Sequence, residues 1–209
     1  MKFKRLLYVV FIVAFSAISM VSMLYAYPYG RIGRSGKQGE FATCSGCHFG
    51  PETPDLSLAA PSQMLAGNTV NLHFTVDRNS DTATVTTAGF NLAVSEGTLL
   101  GKDETPEECR VPAEGPPPPS NTNVTCISVV DGLNEMSHAR PAELVDGKAT
   151  FNMQFMAPIT ATGTITIYGS GVAATEGAGA FNNQVHAGAE MFTIEVVDSI
   201  DVYLPLIVR

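Results

Sequence analysis

Cys44-Ser45-Gly46-Cys47-His48 is the stretch of this sequence whose residue types and spacing could do chemistry. Two cysteines separated by two residues can reach the two vinyl groups of one porphyrin as thioethers, and the adjoining histidine can then bind the iron axially. Cys-x-x-Cys-His therefore predicts one covalently attached c-type haem, haem c. Three other readings compete. A thioredoxin-like redox pair places its first cysteine at a helix N-terminus between alternating strands and helices, a context absent here. A structural zinc site needs a fourth ligand and usually a second cysteine pair. A short-range disulfide leaves His48 unexplained.

The sixth position on the iron decides what such a haem can do, and the candidates are few. His138, in the polar segment Asn134-Glu135-Met136-Ser137-His138 that reads as a loop ahead of a strand, is the leading one. His186, at a loop-to-strand junction, and Met136 are weaker candidates, since both residue types ligate haem iron. His73 alternates with Val70, Leu72, Phe74 and Val76, which places it on the polar face of a strand. Cys109 and Cys126 flank a proline-rich segment, and in an oxidising compartment they predict a disulfide that stabilises by about 3 kcal/mol.

The compartment follows from the N-terminus. Lys2, Lys4 and Arg5 precede an apolar run over residues 6–24, the pattern of an export signal. Residues 1–26 are thus a signal peptide or, because the run approaches the length of a membrane span, an uncleaved N-terminal anchor. In either case the rest of the chain is expected outside the cytoplasm, whether secreted, periplasmic or at the cell surface. A formal net charge of −8 argues against nucleic acid as a partner.

The elements that must position the motif are strands. Val70 to Val76, Gly89 to Val94, Val124 to Val130, Ala149 to Phe155, Thr164 to Tyr168 and Met191 to Val197 show the two-residue period of half-buried strands, separated by Gly, Pro and Asn clusters. They predict an all-β, immunoglobulin-like antiparallel sandwich over residues 55–198. Residues 27–54 form a Gly-rich extension that carries the motif and whose order is expected to depend on what it binds. A polyproline-like insertion covers 102–123, Gly169 to Gln184 reads as a glycine- and alanine-rich connection, and 199–209 is a short tail.

Taken together, Gly33-Arg34-Ser35-Gly36, the Cys-x-x-Cys-His motif, the Ser137-His138 pair, Met156-Ala157-Pro158 and Gly163-Thr164-Ile165-Thr166-Ile167-Tyr168-Gly169 resemble bacterial choice-of-anchor V domain proteins. These are similar to the Reeler domain, an immunoglobulin-like sandwich. The resemblance spans about residues 30–197. It implies a secreted or surface-exposed sandwich and a histidine at the position of His138, and it supplies no activity. The Cys109 and Cys126 insertion and the ending Leu204-Pro205-Leu206-Ile207-Val208-Arg209 depart from the family pattern.

Two functions from different classes are expected on this basis. One is electron transfer by an extracytoplasmic monohaem protein to a redox partner. The other is a surface adhesion or recognition module, in which the motif-bearing segment is structural and the sandwich binds a surface partner. Fold alone does not separate them. A haem enzyme would need an open distal position with acid-base groups, and the sequence presents no such set.

Overall fold

The computed structural model describes residues 32–39, 42–48, 50, 52–78, 85–101, 125–130, 133–138, 141–175 and 186–198, with only the backbone described for 125–130, Leu133 and His186. The expectations that fall on the signal or anchor, the proline-rich insertion, Cys109 and the tail lie outside them, and so does the Cys109–Cys126 pairing.

Within the described residues the chain is an all-β sandwich. The strands are β1 (Asp55–Ala59), β2 (Gln63–Leu65), β3 (Thr69–Asp77), β4 (Thr87–Val94), β5 (Thr98–Gly101), β6 (Thr125–Val130), β7 (Leu133–His138), β8 (Ala142–Glu143), β9 (Lys148–Met156), β10 (Gly163–Ala174) and β11 (His186–Val197). One sheet runs β1-β3-β9-β5, and the other runs β2-β11-β10-β4-β7-β6 with β8 paired to β4. Pairing is antiparallel throughout except for the parallel β2 and β11.

Alternation produces the core. In β3 Leu72, Phe74 and Val76 point inward, and in β9 Ala149, Phe151, Met153 and Phe155 do the same. They meet Phe90 and Leu92 of β4, Ile167 of β10 and Ile194 of β11. Phe90 packs on Phe151 with ring centroids 4.4 Å apart and on Phe74 at 5.9 Å, offset geometries that suit aromatic quadrupoles. The other face of the smaller sheet carries polar cross-strand pairs, His73 with Asn152, Thr75 with Thr150 and Asn71 with Gln154. His73 is exposed there, as its alternation predicts.

The larger sheet differs. From Ala88 to Val94 every residue of β4 is buried, whichever face it points to. Asn91 of β4, Glu135 and Ser137 of β7, and Ser170 of β10 belong to the face turned away from the core, yet all four are buried. A strand covered on both faces needs a second layer, and here the motif-bearing extension supplies it.

Three sequence expectations change at this level. His138 ends a strand and is buried, where a polar loop was expected, because β7 pairs with both β4 and β6. The glycine-rich stretch after Tyr168 continues β10 as far as Ala174. Its glycines are needed there: a Cβ on Gly169 would fall 2.8 Å from Phe74, and one on Gly171 would fall 2.6 Å from Leu56. The extension, finally, is held by protein groups of the sandwich itself.

Candidate functional site

The extension folds on itself before it meets the sheet. Ser35 bridges to Thr43, and the Gly36 N–H donates to the Ala42 carbonyl at 2.7 Å. Gly36 has φ +92°, a left-handed conformation that glycine adopts without steric cost. Cys44–Gly46 then forms one 3₁₀ turn. The Cys44 carbonyl accepts the N–H groups of Cys47 at 3.1 Å and His48 at 2.9 Å, so one turn of backbone carries both thiols and the imidazole.

Two buried polar side chains dock this unit. The Glu135 carboxylate accepts backbone N–H groups from Gly33 at 2.5 Å, Ser35 at 2.9 Å and Arg34 at 3.1 Å. A buried carboxylate is costly unless its lone pairs are filled, and Gly33-Arg34-Ser35 fills them. The Ser170 hydroxyl accepts the Cys44 N–H at 3.2 Å, donates to the Arg34 carbonyl and lies 3.0 Å from the Cys44 sulfur. Lys37 adds an ammonium donor to the Val94 carbonyl at 2.5 Å. The 3₁₀ turn rests on β10 and β11.

Docking changes the chemistry of the motif. Burial pushes the Cys44 thiol up to about 11, against a smaller lowering by the Ser170 hydroxyl. Neither Cys44 nor Cys47 is in a disulfide. Burial also lowers the His48 pKa, and His48 Nδ1 is buried with no hydrogen-bond partner. The His138 pKa is lowered by burial first; its hydrogen bond to the Phe90 backbone opposes this, and the nearby charge of His48 adds to it. The fold thus brings the motif histidine and His138, far apart in sequence, within electrostatic reach of each other.

His138 Nδ1 lies 3.0 Å from both the amide nitrogen and the carbonyl oxygen of Phe90, so either tautomer finds a partner. With the proton on Nδ1, the ring donates to the carbonyl and leaves the lone pair of Nε2 for a metal, the usual arrangement of a ligating histidine. Met136 is fully exposed to neither solvent nor the extension: it is buried in the core opposite Leu92, which assigns it to packing. His186 begins β11 opposite Ala173. Among the described residues no three His, Cys, Asp or Glu side chains converge as a metal-holding group. A haem iron asks for only one or two protein ligands, and an unpartnered buried imidazole nitrogen on His48, within electrostatic reach of a backbone-oriented His138, fits that demand.

Sequence reasoning missed Glu135 and Ser170. The signal that could have found Glu135 is a carboxylate between Asn134 and Met136 in an otherwise half-apolar strand, but nothing in the sequence names its partners.

No family model matches the chain, and no curated protein matches it. Solved structures do. The chain is similar to a cohesin module from a Clostridium perfringens family 33 glycoside hydrolase, at 7% identity and TM-score 0.42 over 70% of this chain and 99% of that one. It is also similar to AvmM, which catalyses macrocyclisation in alchivemycin A biosynthesis (9%, TM-score 0.38, 73% and 93%). A third likeness is to the collagen-binding domain of a Staphylococcus aureus adhesin (11%, TM-score 0.29, 67% and 96%). Among the described residues no helix is long and apolar enough to cross a membrane.

Proposed function

We propose that this chain is an extracytoplasmic monohaem c-type cytochrome-like protein that passes single electrons to a redox partner. Cys44 and Cys47 would hold the haem, and His48 and His138 would ligate its iron. The observation that carries the reading is that the fold brings His48, whose Nδ1 is buried without a hydrogen-bond partner, within electrostatic reach of the buried His138, since nothing in sandwich folding requires two distant histidines to approach each other. When bound, the haem supplies an iron that gains or loses one electron without breaking a bond.

The chain's own groups do the rest. The Phe90 backbone holds the direction of the His138 ring, and Glu135 and Ser170 hold the motif turn against the sheet. With both histidines as ligands, a bound iron would have no open position for a substrate, which would favour electron transfer over oxygen or peroxide chemistry. The resemblance to choice-of-anchor V domain proteins supports an exported or surface location, and the acidic chain favours a basic partner.

A second reading has one observation in its favour: Glu135 and Ser170 dock the extension through protein groups alone. On that reading the protein is a surface recognition module and the motif is structural. The separating experiment is expression of the full chain in cells with cytochrome-maturation machinery, followed by a haem stain after denaturing electrophoresis and oxidised and reduced visible spectra. Covalent haem with a low-spin spectrum that is lost in His138→Ala supports the cytochrome. Absence of covalent haem refutes it and leaves the recognition module.

A further inference from the structure

Gly89 sits in the middle of β4, where a glycine has no conformational purpose. Its φ is not in the left-handed region, it makes no turn, and it is in regular register opposite Val172. Glycine inside a strand interior weakens it and marks the close approach of another group. Here that group is identified: a Cβ on Gly89 would lie 2.4 Å from Cε1, 2.7 Å from Nε2 and 3.0 Å from Nδ1 of His138. All three atoms belong to the imidazole, a rigid ring whose Nδ1 is tied to the Phe90 backbone and which cannot step aside while keeping that bond.

We infer that Gly89 is a positioning residue for His138: the missing side chain is the shelf on which the imidazole lies, and this shelf sets the direction of the ring toward the iron. The inference rests on the proposed His48 and His138 ligation and extends it to a residue that touches neither haem nor iron. Alanine at position 89 forces the ring off the strand, breaks the Phe90 contact and misdirects Nε2. The covalent attachment through Cys44 and Cys47 does not involve this contact and survives.

The test compares Gly89→Ala, His138→Ala and the double variant in the full chain, prepared from cells with and without cytochrome maturation. In matured protein, Gly89→Ala is expected to keep covalent haem at the parental stoichiometry and to shift the ferric spectrum from low to high spin. Added imidazole is expected to restore the low-spin spectrum, as in His138→Ala. In thermal unfolding of protein made without maturation, Gly89→Ala is expected to lower Tm with His138 present and to leave it unchanged in the His138→Ala background, where the space is vacant. The unfolding cycle answers the objection that alanine merely damages the fold. A low-spin Gly89→Ala protein with additive unfolding effects overturns the inference while leaving the cytochrome reading intact. If the parental chain takes up no covalent haem, the cytochrome reading and this inference fall together, and any coupling in the unfolding cycle then reports packing only.

Discussion

Replacing Glu135 by alanine should release the extension from the sandwich while sparing the core. The carboxylate is fully buried and accepts three backbone N–H groups, from Gly33, Arg34 and Ser35. Each hydrogen bond to a charged acceptor contributes about 1.5–3 kcal/mol. The three are not additive, because undocking returns the freed N–H groups to water, and Ser170 and Lys37 still hold part of the segment. A loss of about 2–4 kcal/mol in docking is therefore expected, which multiplies the opening equilibrium about 30- to 700-fold at 1.4 kcal/mol per tenfold. Native-state hydrogen exchange reads this directly: the Gly33, Arg34 and Ser35 amides should lose protection by that factor, while Phe74 and Phe90, deep in the strands, keep theirs. Trypsin should cut after Arg34 and Lys37 correspondingly faster. Glu135→Gln, which keeps one acceptor oxygen but turns an amide toward a donor, should fall between. Unchanged protection of the three amides in Glu135→Ala would show that the carboxylate does not anchor the extension.

Cys44, with its pKa raised to about 11, should exist as thiolate in only about one molecule in a thousand at pH 8, so in chain made without haem maturation iodoacetamide should label it far more slowly than an unfolded thiol; labelling at the unfolded rate, read by peptide mass, counts against the docked geometry. The His138 pKa is lowered from 6.5 by folding, so the unfolded state binds more protons as pH falls below that value; stability should be highest above about pH 6.5 and decline on acidification through the folded pKa, and His138→Ala should flatten that decline in the haem-free chain. Ser170→Val should leave the Cys44 N–H and the Arg34 carbonyl without their shared partner, destabilising by about 1–3 kcal/mol in denaturant unfolding. Phe90→Ala removes the ring shared by the Phe74 and Phe151 contacts and should cost about 3–5 kcal/mol in denaturant unfolding.

The strands of the smaller sheet were legible because one of their faces meets water: Val70 to Val76 and Ala149 to Phe155 alternate as β3 and β9 do. The larger sheet was harder to read. The continuation of β10 past Tyr168 was hidden because Gly169 and Gly171 are selected by the Phe74 and Leu56 side chains that press on them, a constraint set across the core. β5 and β8 are only four and two residues long, too short for any period to register.

What chemistry the motif is equipped for was legible in the sequence alone, because the spacing of Cys44, Cys47 and His48 is a local property of one turn of backbone. Its surroundings were decided only by the tertiary structure. Glu135 and Ser170 come from β7 and β10 on either side of β4, and their shared role arises because antiparallel register puts them on one face of the sheet, whereas His138 is held by its ring contact with the Phe90 backbone. A sequence displays the period of each strand but not which strand becomes its neighbour. Burial on that face depends in turn on a segment more than a hundred residues from Ser170 folding back over it, and the burial gives the two histidines and Cys44 proton affinities that no isolated peptide would have.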